Sequence, residues 1–262
     1  MHSSKKQHKS VSGTRKVVLG VCAMSKKTRS KAMTQILDRL RAYGEFRVIV
    51  FDEETILNKS IESWPIVHCL IGFYSTGFPL QKAIDYVKLR QPFCVNDLYS
   101  QTILRSRVKV QSLLKKNNIP IFKKRIAIDN KFRSNTPELI IQTEEYLEVN
   151  EKKLYFPIVE KPFDADNHLI NVYYGHNKGC RHLFRKVHNR SSEYNPNFNS
   201  IRTDGNYIYE PYIQHGKDLK IYTVGVEYAH GETRKSPTVD GVVERDPDNK
   251  ELRLLTRLTE HE

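Results

Sequence analysis

The amino-acid sequence predicts two folds in series, a doubly wound α/β domain followed by a strand-rich α+β region. From Lys16 to Asn96, apolar runs of strand length alternate with segments of helical periodicity. That alternation indicates a parallel sheet covered on both faces. Beyond Ile119 the apolar runs are separated by turn residues, which indicates a strand-rich α+β region. The length, 262 residues, gives room for one large domain or two smaller ones.

In chain order, residues 1–15 are polar and basic with no periodicity, and a disordered tail is expected there. Val17–Cys22 is a continuous apolar run and predicts the first strand. Ser30 is placed to cap a helix whose Met33, Ile36, Leu37 and Leu40 share one face. Phe46–Phe51 and Ile66–Phe73 predict two further strands. Pro79 opens a helix with Leu80, Ala83, Ile84 and Val87 on one side, and Phe93–Val95 predicts a short fourth strand. Asp97–Asn117 reads as one long helix carrying Ile103, Val110, Leu113 and Leu114, ended by Asn117-Asn118 and then Pro120. The first domain is thus expected over residues 16–118 and the second over 119–262. In the second, strands are expected at Arg125–Ile128, Tyr146–Val149, Phe156–Lys161, Leu169–Tyr174, Tyr207–Tyr212, Leu219–Val226 and Val239–Val243. Asn150-Glu151 fits a hairpin turn, whereas Asn130–Thr143 and Ser191–Asp204 are polar stretches expected to be mobile loops.

Lys and Arg number 43 against 30 Asp and Glu, a formal net charge of +13. An anionic partner follows: nucleic acid, an acidic membrane or a polyphosphate. The charge is distributed as short clusters at Lys26-Lys27, Arg185-Lys186, Lys220 and Arg234-Lys235. Scattered pairs that converge on folding suit a compact, highly charged ligand better than a long duplex. No run approaches the roughly 18 apolar residues of a membrane span, and the basic start lacks the apolar stretch of a secretory signal. The four cysteines show no Cys-x-x-Cys and no Cys/His cluster. This argues against a zinc site or a disulfide framework and favours the reducing cytosol. Gly72–Gly77 has the glycine spacing of a phosphate loop, but Phe78-Pro79 stands where Lys-Ser/Thr is required. No G-x-G-x-x-G follows the first strand, and no H-R-D, D-F-G, G-x-S-x-G or H-E-x-x-H occurs.

Three stretches carry a resemblance: Met24–Lys31 (MSKKTRSK), Ile158–Pro162 (IVEKP), and Asp218–Gly225 (DLKIYTVG) with Ala229–Pro237 (AHGETRKSP). Together with Ser63-Trp64-Pro65, Gly77–Leu80, Asn96-Asp97-Leu98, Leu183–Lys186 and Tyr207–Glu210, the sequence from about Val17 to Arg253 resembles the kinase domain of the diphosphoinositol-pentakisphosphate kinases. These enzymes also phosphorylate inositol hexakisphosphate. The resemblance implies a Rossmann-like α/β domain before an ATP-grasp domain, with ATP held between two β-rich lobes. It implies that Lys26, Lys27, Arg185, Lys186, Lys220 and Arg234 bind substrate phosphates. It further implies ATP contacts from Arg107, Lys161, His168, Arg185, Asp218, Leu219, Lys220 and Ser236, and from the adenine-binding segment Glu210-Pro211-Tyr212-Ile213. Pro211 stands where the family has an acidic residue and removes one N–H.

On residue chemistry alone, alternatives stay open. Lys26-Lys27 could be a solvated pair, His168 an exposed loop histidine, Lys161 half of an ion pair, and Asp218 and Lys220 members of cross-strand salt pairs. Where the resemblance holds, Lys220, Arg185 and Arg234 are the cations that neutralise charge during transfer. A fully phosphorylated inositol carries about −9 to −12 at neutral pH, and the attacking phosphate oxygen is already ionised, so positioning and neutralisation are what the reaction needs. The implied product is a diphosphate at the ring's 1-position, and the implied cofactors are ATP and Mg²⁺. The family's Mg²⁺ ligands, on an Asp-x-Asn strand, would lie beyond Glu262, and Glu260 and Glu262 do not resemble them. The ATP-grasp region is therefore expected to be incomplete, and this polypeptide alone to have little or no kinase activity. Two other readings compete: a non-catalytic inositol-polyphosphate-binding fragment, and a nucleic-acid-binding protein prompted by charge alone. A monomer in the cytosol is expected.

Overall fold

Val17–Cys22 carries no charged or polar side chain and forms β1 at the centre of a parallel sheet. The structure, a computed structural model of the chain, describes residues 16–129 and 139–259. The tail expected over residues 1–15, most of the loop expected over Asn130–Thr143, and Glu260 and Glu262 lie outside those residues. The chain divides into two compact units, one ending at Ile103 and the other beginning at Leu104.

The first unit runs β1, α1 (Ser25–Thr28), α2 (Lys31–Tyr43), β2 (Phe46–Val50), α3 (Glu53–Asn58), a 3₁₀ turn at Ile61–Ser63, β3 (Cys69–Gly72), α4 (Leu80–Arg90), β4 (Phe93–Cys94) and α5 (Leu98–Leu104). The strands pair in parallel in the order β2-β1-β3-β4, so the doubly wound expectation is met. Both faces of β1 are buried. Leu19 and Val21 join Met33, Leu37 and Ile71 on one side. Val18 and Cys22 pack on the other, in a core built around Phe51, Trp64, Tyr86 and Leu98. Phe51 meets both Trp64 and Tyr86 edge-on, with ring centroids 5.9 and 5.7 Å apart, the orientation favoured by aromatic quadrupoles. The polar tips of Trp64 and Tyr86 are satisfied by the Lys59 and Pro65 carbonyls. Gly20 lets this side close up: a Cβ there would sit 2.9 Å from a Val67 methyl. Ser30 caps α2 through the Met33 N–H, as its position suggested. Helix α3 has too few residues to show a periodicity, and it begins at the Asp52 cap, which holds the Thr55 N–H and hydroxyl.

The expected long helix over Asp97–Asn117 is two helices, α5 and α6 (Arg107–Lys116). Between them Ser106 is extended, at φ −122° and ψ 114°, and bridges to Asp164. The Arg107 N–H donates to the Phe163 carbonyl and the Arg105 carbonyl accepts from the Ala165 N–H. Backbone groups that would continue a helix are therefore committed to a distant loop, and Ser106 recaps the chain through the Lys109 N–H. Helix α6 belongs to the second unit, although residues up to 118 were expected in the first.

The second unit adds β5 (Ile126–Ile128), β6 (Ile140–Gln142), β7 (Tyr146–Val149), β8 (Lys152–Tyr155), β9 (Ile158–Pro162), β10 (Ile170–Tyr173), β11 (Cys180–Val187), β12 (Arg190–Asn195), β13 (Tyr207–Pro211), β14 (Lys217–Val224), β15 (Tyr228–Lys235) and β16 (Leu254–Thr256). All pairings are antiparallel, in a six-stranded sheet β12-β11-β10-β9-β13-β5 and two three-stranded sheets, β6-β7-β8 and β14-β15-β16. The turn at Asn150-Glu151 joins β7 to β8, with both residues at positive φ, 48° and 67°, the geometry that matches strand twist. Three expectations fail. Asn130–Thr143 is not a loop throughout, because Ile140–Gln142 forms β6, paired with β7. Val239–Val243 is not a strand: Gly241 at φ 77° bends it, and only Val242 makes an isolated bridge, to Arg190. Ser191–Asp204 is not a loop throughout, because its first residues belong to β12, paired with β11.

One buried carboxylate organises the six-stranded sheet. Glu160 on β9 is fully buried and accepts from Arg202 Nε at 2.5 Å, the Arg202 backbone N–H at 2.9 Å, Asn171 at 2.9 Å, Tyr209 at 2.9 Å and Tyr173 at 3.2 Å. A buried charge is tolerated only when so completely satisfied. It locks β9, β10 and β13 to one another.

Candidate functional site

The expected ligands within the second unit fall into two adjoining groups. The first lies around β9 and β13. Lys161 on β9 donates to Glu210 on β13 at 2.6 Å, and Glu210 is almost wholly buried. The other Glu210 oxygen accepts from Gln111 on α6, which in turn accepts from Arg125. A Lys161 ion pair was one of the alternatives open from sequence, and its partner proves to be another expected ATP contact. The face of α6 carrying Gln111 and Leu114 joins Pro120, Ile121, Phe122 and Glu210 around a largely apolar cavity of about 550 Å³.

Arg107, first residue of α6, inserts its guanidinium into the loop after β9 and donates to the carbonyls of Pro162, Asp164, Ala165 and Asn167. Five donors in a planar fork allow one side chain to hold a whole turn. His168 follows that turn. Its own burial, and then the charges of Arg185 and Arg107, hold its pKa below the ordinary value, which favours a neutral imidazole. Pro211 pairs with Ile158 in register. The next N–H, of Tyr212, donates to the Pro157 carbonyl at 2.9 Å, and the Ile213 carbonyl accepts from His215 at 2.7 Å.

The second group lies on β14, β15 and the segment before β16. Asp218 and Lys220 are two apart on β14, and Arg234 lies opposite Asp218 on β15. Arg234 donates through Nη2 and Nε to Asp218 Oδ2 at 3.0 and 3.2 Å, and through Nη1 to Glu251 at 3.1 Å. Asp218 Oδ1 accepts from His215 Nε2 at 2.9 Å. With Nδ1 on the Ile213 carbonyl, the ring has an acceptor at each nitrogen. That carbonyl, and then Asp218, raise its pKa. Ser236 is buried, its hydroxyl between His215 and Thr238, and Leu219 pairs with Thr233.

Lys220 has no ion-pair or side-chain hydrogen-bond partner among the described residues. Burial, then the neighbouring charges of Arg234 and Arg253, lower its pKa. Glu251 and Asp218 act on it in the opposite sense, but both are committed to arginines, so the lysine has no anion paired to itself among the described residues.

The two groups meet at β11. Its register shifts between Leu183 and Val187, a bulge that holds both Arg185 and Lys186. Arg185 pairs with Asp166 at 3.0 Å beside His168, whereas Lys186 pairs with Glu251 at 3.1 Å. Lys26 and Lys27 belong to the first unit, exposed on α1 just past the carboxyl end of β1, where α/β sheets bind ligands.

Sequence reasoning missed Glu251 and Arg253. Arg253 donates to Glu251 at 3.0 Å, Glu232 at 3.1 Å and the Tyr222 hydroxyl at 2.8 Å. The alternation Lys250-Glu251-Leu252-Arg253 was the available signal, since residues two apart on extended chain share a face. The segment is placed by the Asp246–Asn249 turn, where Asp246 accepts from the Lys250 N–H at 2.8 Å.

Among the described residues no cluster of three His, Cys, Asp or Glu side chains could hold a metal ion. Asp218, Glu232 and Glu251 all face arginine. These residues do not fit a Mg²⁺ site. No helix of the described residues is long and apolar enough to cross a membrane.

Residues 17–106 match the family described as the diphosphoinositol pentakisphosphate kinase 2 N-terminal domain. The inositol hexakisphosphate and diphosphoinositol-pentakisphosphate kinase VIP1 of Arabidopsis thaliana is 45% identical over 93% of this chain and 23% of its own length. Kinase 2 of the same name from Homo sapiens is 45% identical over 95% of this chain and 20% of its own. The Saccharomyces cerevisiae kinase is 43% identical over 93% and 23%. The chain thus spans less than a quarter of the length of these relatives. Among solved structures, D-alanyl-alanine synthetase A from Vibrio cholerae aligns over 95% of this chain and 77% of its own, at a TM-score of 0.47 and 9% identity, too distant a likeness to assign the fold. Residues 17–106 thus match the diphosphoinositol pentakisphosphate kinase 2 N-terminal domain family, and nearly the whole chain is similar to a portion of the inositol hexakisphosphate and diphosphoinositol-pentakisphosphate kinases.

Proposed function

We propose that this chain is the nucleotide- and inositol-polyphosphate-binding part of an ATP-grasp kinase. The reaction is transfer of the ATP γ-phosphoryl group to a phosphate of inositol hexakisphosphate or diphosphoinositol pentakisphosphate, at the ring's 1-position. The observation that carries the reading is the convergence of Lys186, Lys220, Arg234 and Arg253, from three strands and a loop, with Lys220 left without an ion-pair partner among the described residues. A compact polyanion supplies what that lysine lacks.

On this reading the apolar cavity beside Glu210 takes the adenine, and Arg107, Lys161 and His168 line the route of the ATP phosphates. Arg185 stands at the junction of nucleotide and substrate, with Lys186, Lys220 and Arg234 on the acceptor. The acceptor oxygen is already ionised, so no side-chain base is required. The side chains hold donor and acceptor in line and offset the charge that accumulates between them.

The test is calorimetric titration of the purified chain with inositol hexakisphosphate, beside the Lys220→Met variant. Micromolar or tighter binding is expected for the wild type. Loss of a charge-assisted contact weakens binding by about 10- to 100-fold, while the melting temperature stays within about 2 °C because Lys220 pairs with none of the described residues. Absence of wild-type binding, or equal affinity in Lys220→Met, overturns the reading.

A further inference from the structure

Three cations of the substrate group meet at one carboxylate. Glu251 Oε1 holds Arg234 Nη1 at 3.1 Å, and Oε2 holds Lys186 Nζ at 3.1 Å and Arg253 Nη2 at 3.0 Å. These cations come from β15, from the bulge in β11 and from the strand lead-in to β16. Among the described residues, no other residue pairs with all three. The Glu251 side chain is mostly shielded, 13% exposed. Burial opposes its charge, but hydrogen bonds from Arg253 and Lys186 and the charges of Arg234 and Lys186 outweigh that and pull its pKa to about 2.

An anion at a polyanion's binding site is at first sight a liability, since its field repels the ligand. Without it, however, three like charges on separate elements would repel one another and splay toward water. Their geometry, not their number, decides whether adjacent phosphates can be engaged together.

We propose that Glu251 is a positioning residue for the inositol-polyphosphate site: it holds Lys186, Arg234 and Arg253 converged on one locus before ligand arrives. This inference rests on the proposed function and adds to it the residue that sets the spacing of its phosphate contacts. Electrostatics alone and positioning predict opposite signs. Removing the carboxylate raises the net positive charge, so a charge-only site binds its polyanion more tightly. A site whose cations have lost their anchor binds it less tightly.

The experiment titrates inositol hexakisphosphate into the wild-type chain, Glu251→Gln, Glu251→Asp and Glu227→Gln at several salt concentrations. Glu227 lies exposed at the β14–β15 hairpin tip, outside the cluster, and serves as the charge control. Its variant is expected to bind as tightly as wild type or slightly more so. Glu251→Gln is expected to bind about tenfold more weakly and Glu251→Asp about threefold, in the range of coupled networks. The slope of log affinity against log salt is expected to fall in Glu251→Gln despite its added positive charge, because fewer cations engage phosphate. A merely destabilised variant, corrected for its folded fraction, keeps the wild-type slope. Equal or tighter binding by Glu251→Gln, or an unchanged slope, overturns the inference. If Glu251→Gln does not fold, Glu251→Asp decides by the same criterion, since it keeps the charge and withdraws it by one methylene. Absence of wild-type binding overturns the proposed function itself, which separates the two failures.

Discussion

Lys161→Met tests whether an expected nucleotide contact also holds the fold. The Lys161 ammonium is 2.6 Å from Glu210, whose side chain is 4% exposed against 30% for the lysine. Removing the ammonium leaves one Glu210 oxygen stranded while the other keeps Gln111. Breaking a buried pair by deleting one partner costs about 3–5 kcal/mol. The partial exposure of Lys161 and the surviving Gln111 bond place this case at the lower end, about 3 kcal/mol. With a urea m-value of about 2 kcal/mol/M, the midpoint falls by about 1.5 M. Glu210→Gln removes the stranded charge, so the double variant recovers about 2 kcal/mol of the loss, a coupling that non-interacting sites do not show. The assay is urea unfolding by circular dichroism at pH 7 for all four proteins. A single-variant cost below about 0.5 kcal/mol, or a double variant equal to the sum of its singles, refutes the reasoning. Nucleotide affinity is best compared in the Glu210→Gln background, where loss of the lysine is not confounded by unfolding.

Arg107→Lys replaces a planar fork holding four carbonyls with a single ammonium, at a cost of about 2 kcal/mol. Amide hydrogen exchange over residues 163–168 is expected to quicken, and unchanged protection there would count against the clamp. The pH dependence of stability follows from Glu251, whose pKa moves from 4.5 to about 2 on folding. Its folded value is depressed, so its contribution is full above about pH 4.5 and is lost as pH falls toward 2. The shift corresponds to about 2–3 kcal/mol after allowance for partial exposure. Urea midpoints at pH 7, 4.5 and about 3 are expected to drop more steeply in wild type than in Glu251→Gln. Parallel curves for the two proteins would rule that out.

The parallel unit was legible because strands buried on both faces must be continuously apolar, and Val17–Cys22 and Phe46–Phe51 advertise themselves. The break at Ser106 was not, since Arg105-Ser106-Arg107 suits an exposed helix face and the interruption comes from pairing with Asp164, a tertiary event. Strands β11 and β12 were missed for a related reason: CRHLFRKV and RSSEYN carry charge where the sheet edge bears the proposed site, so the alternation of a half-buried strand is masked. Val239–Val243 failed in the other direction, its β-branched residues outweighing the bend that Gly241 imposes. The candidate cations, with Asp218 and Glu210 among their carboxylate partners, were named through the family motifs. Glu251 was not, because an acidic residue outside those motifs gains meaning only when the backbone brings it back across β15.

The irregularity in β11 has a consequence for insertions and deletions. In an ideal strand, neighbouring side chains alternate between the two faces. Here the offset between Leu183 and Val187 sends Arg185 to the loop after β9 and Lys186 to the lead-in of β16. Removing a single residue between those two points would therefore not shorten an edge but exchange which compartment each positive head serves. Sequences aligned through this stretch should tolerate substitution far more readily than any change in length.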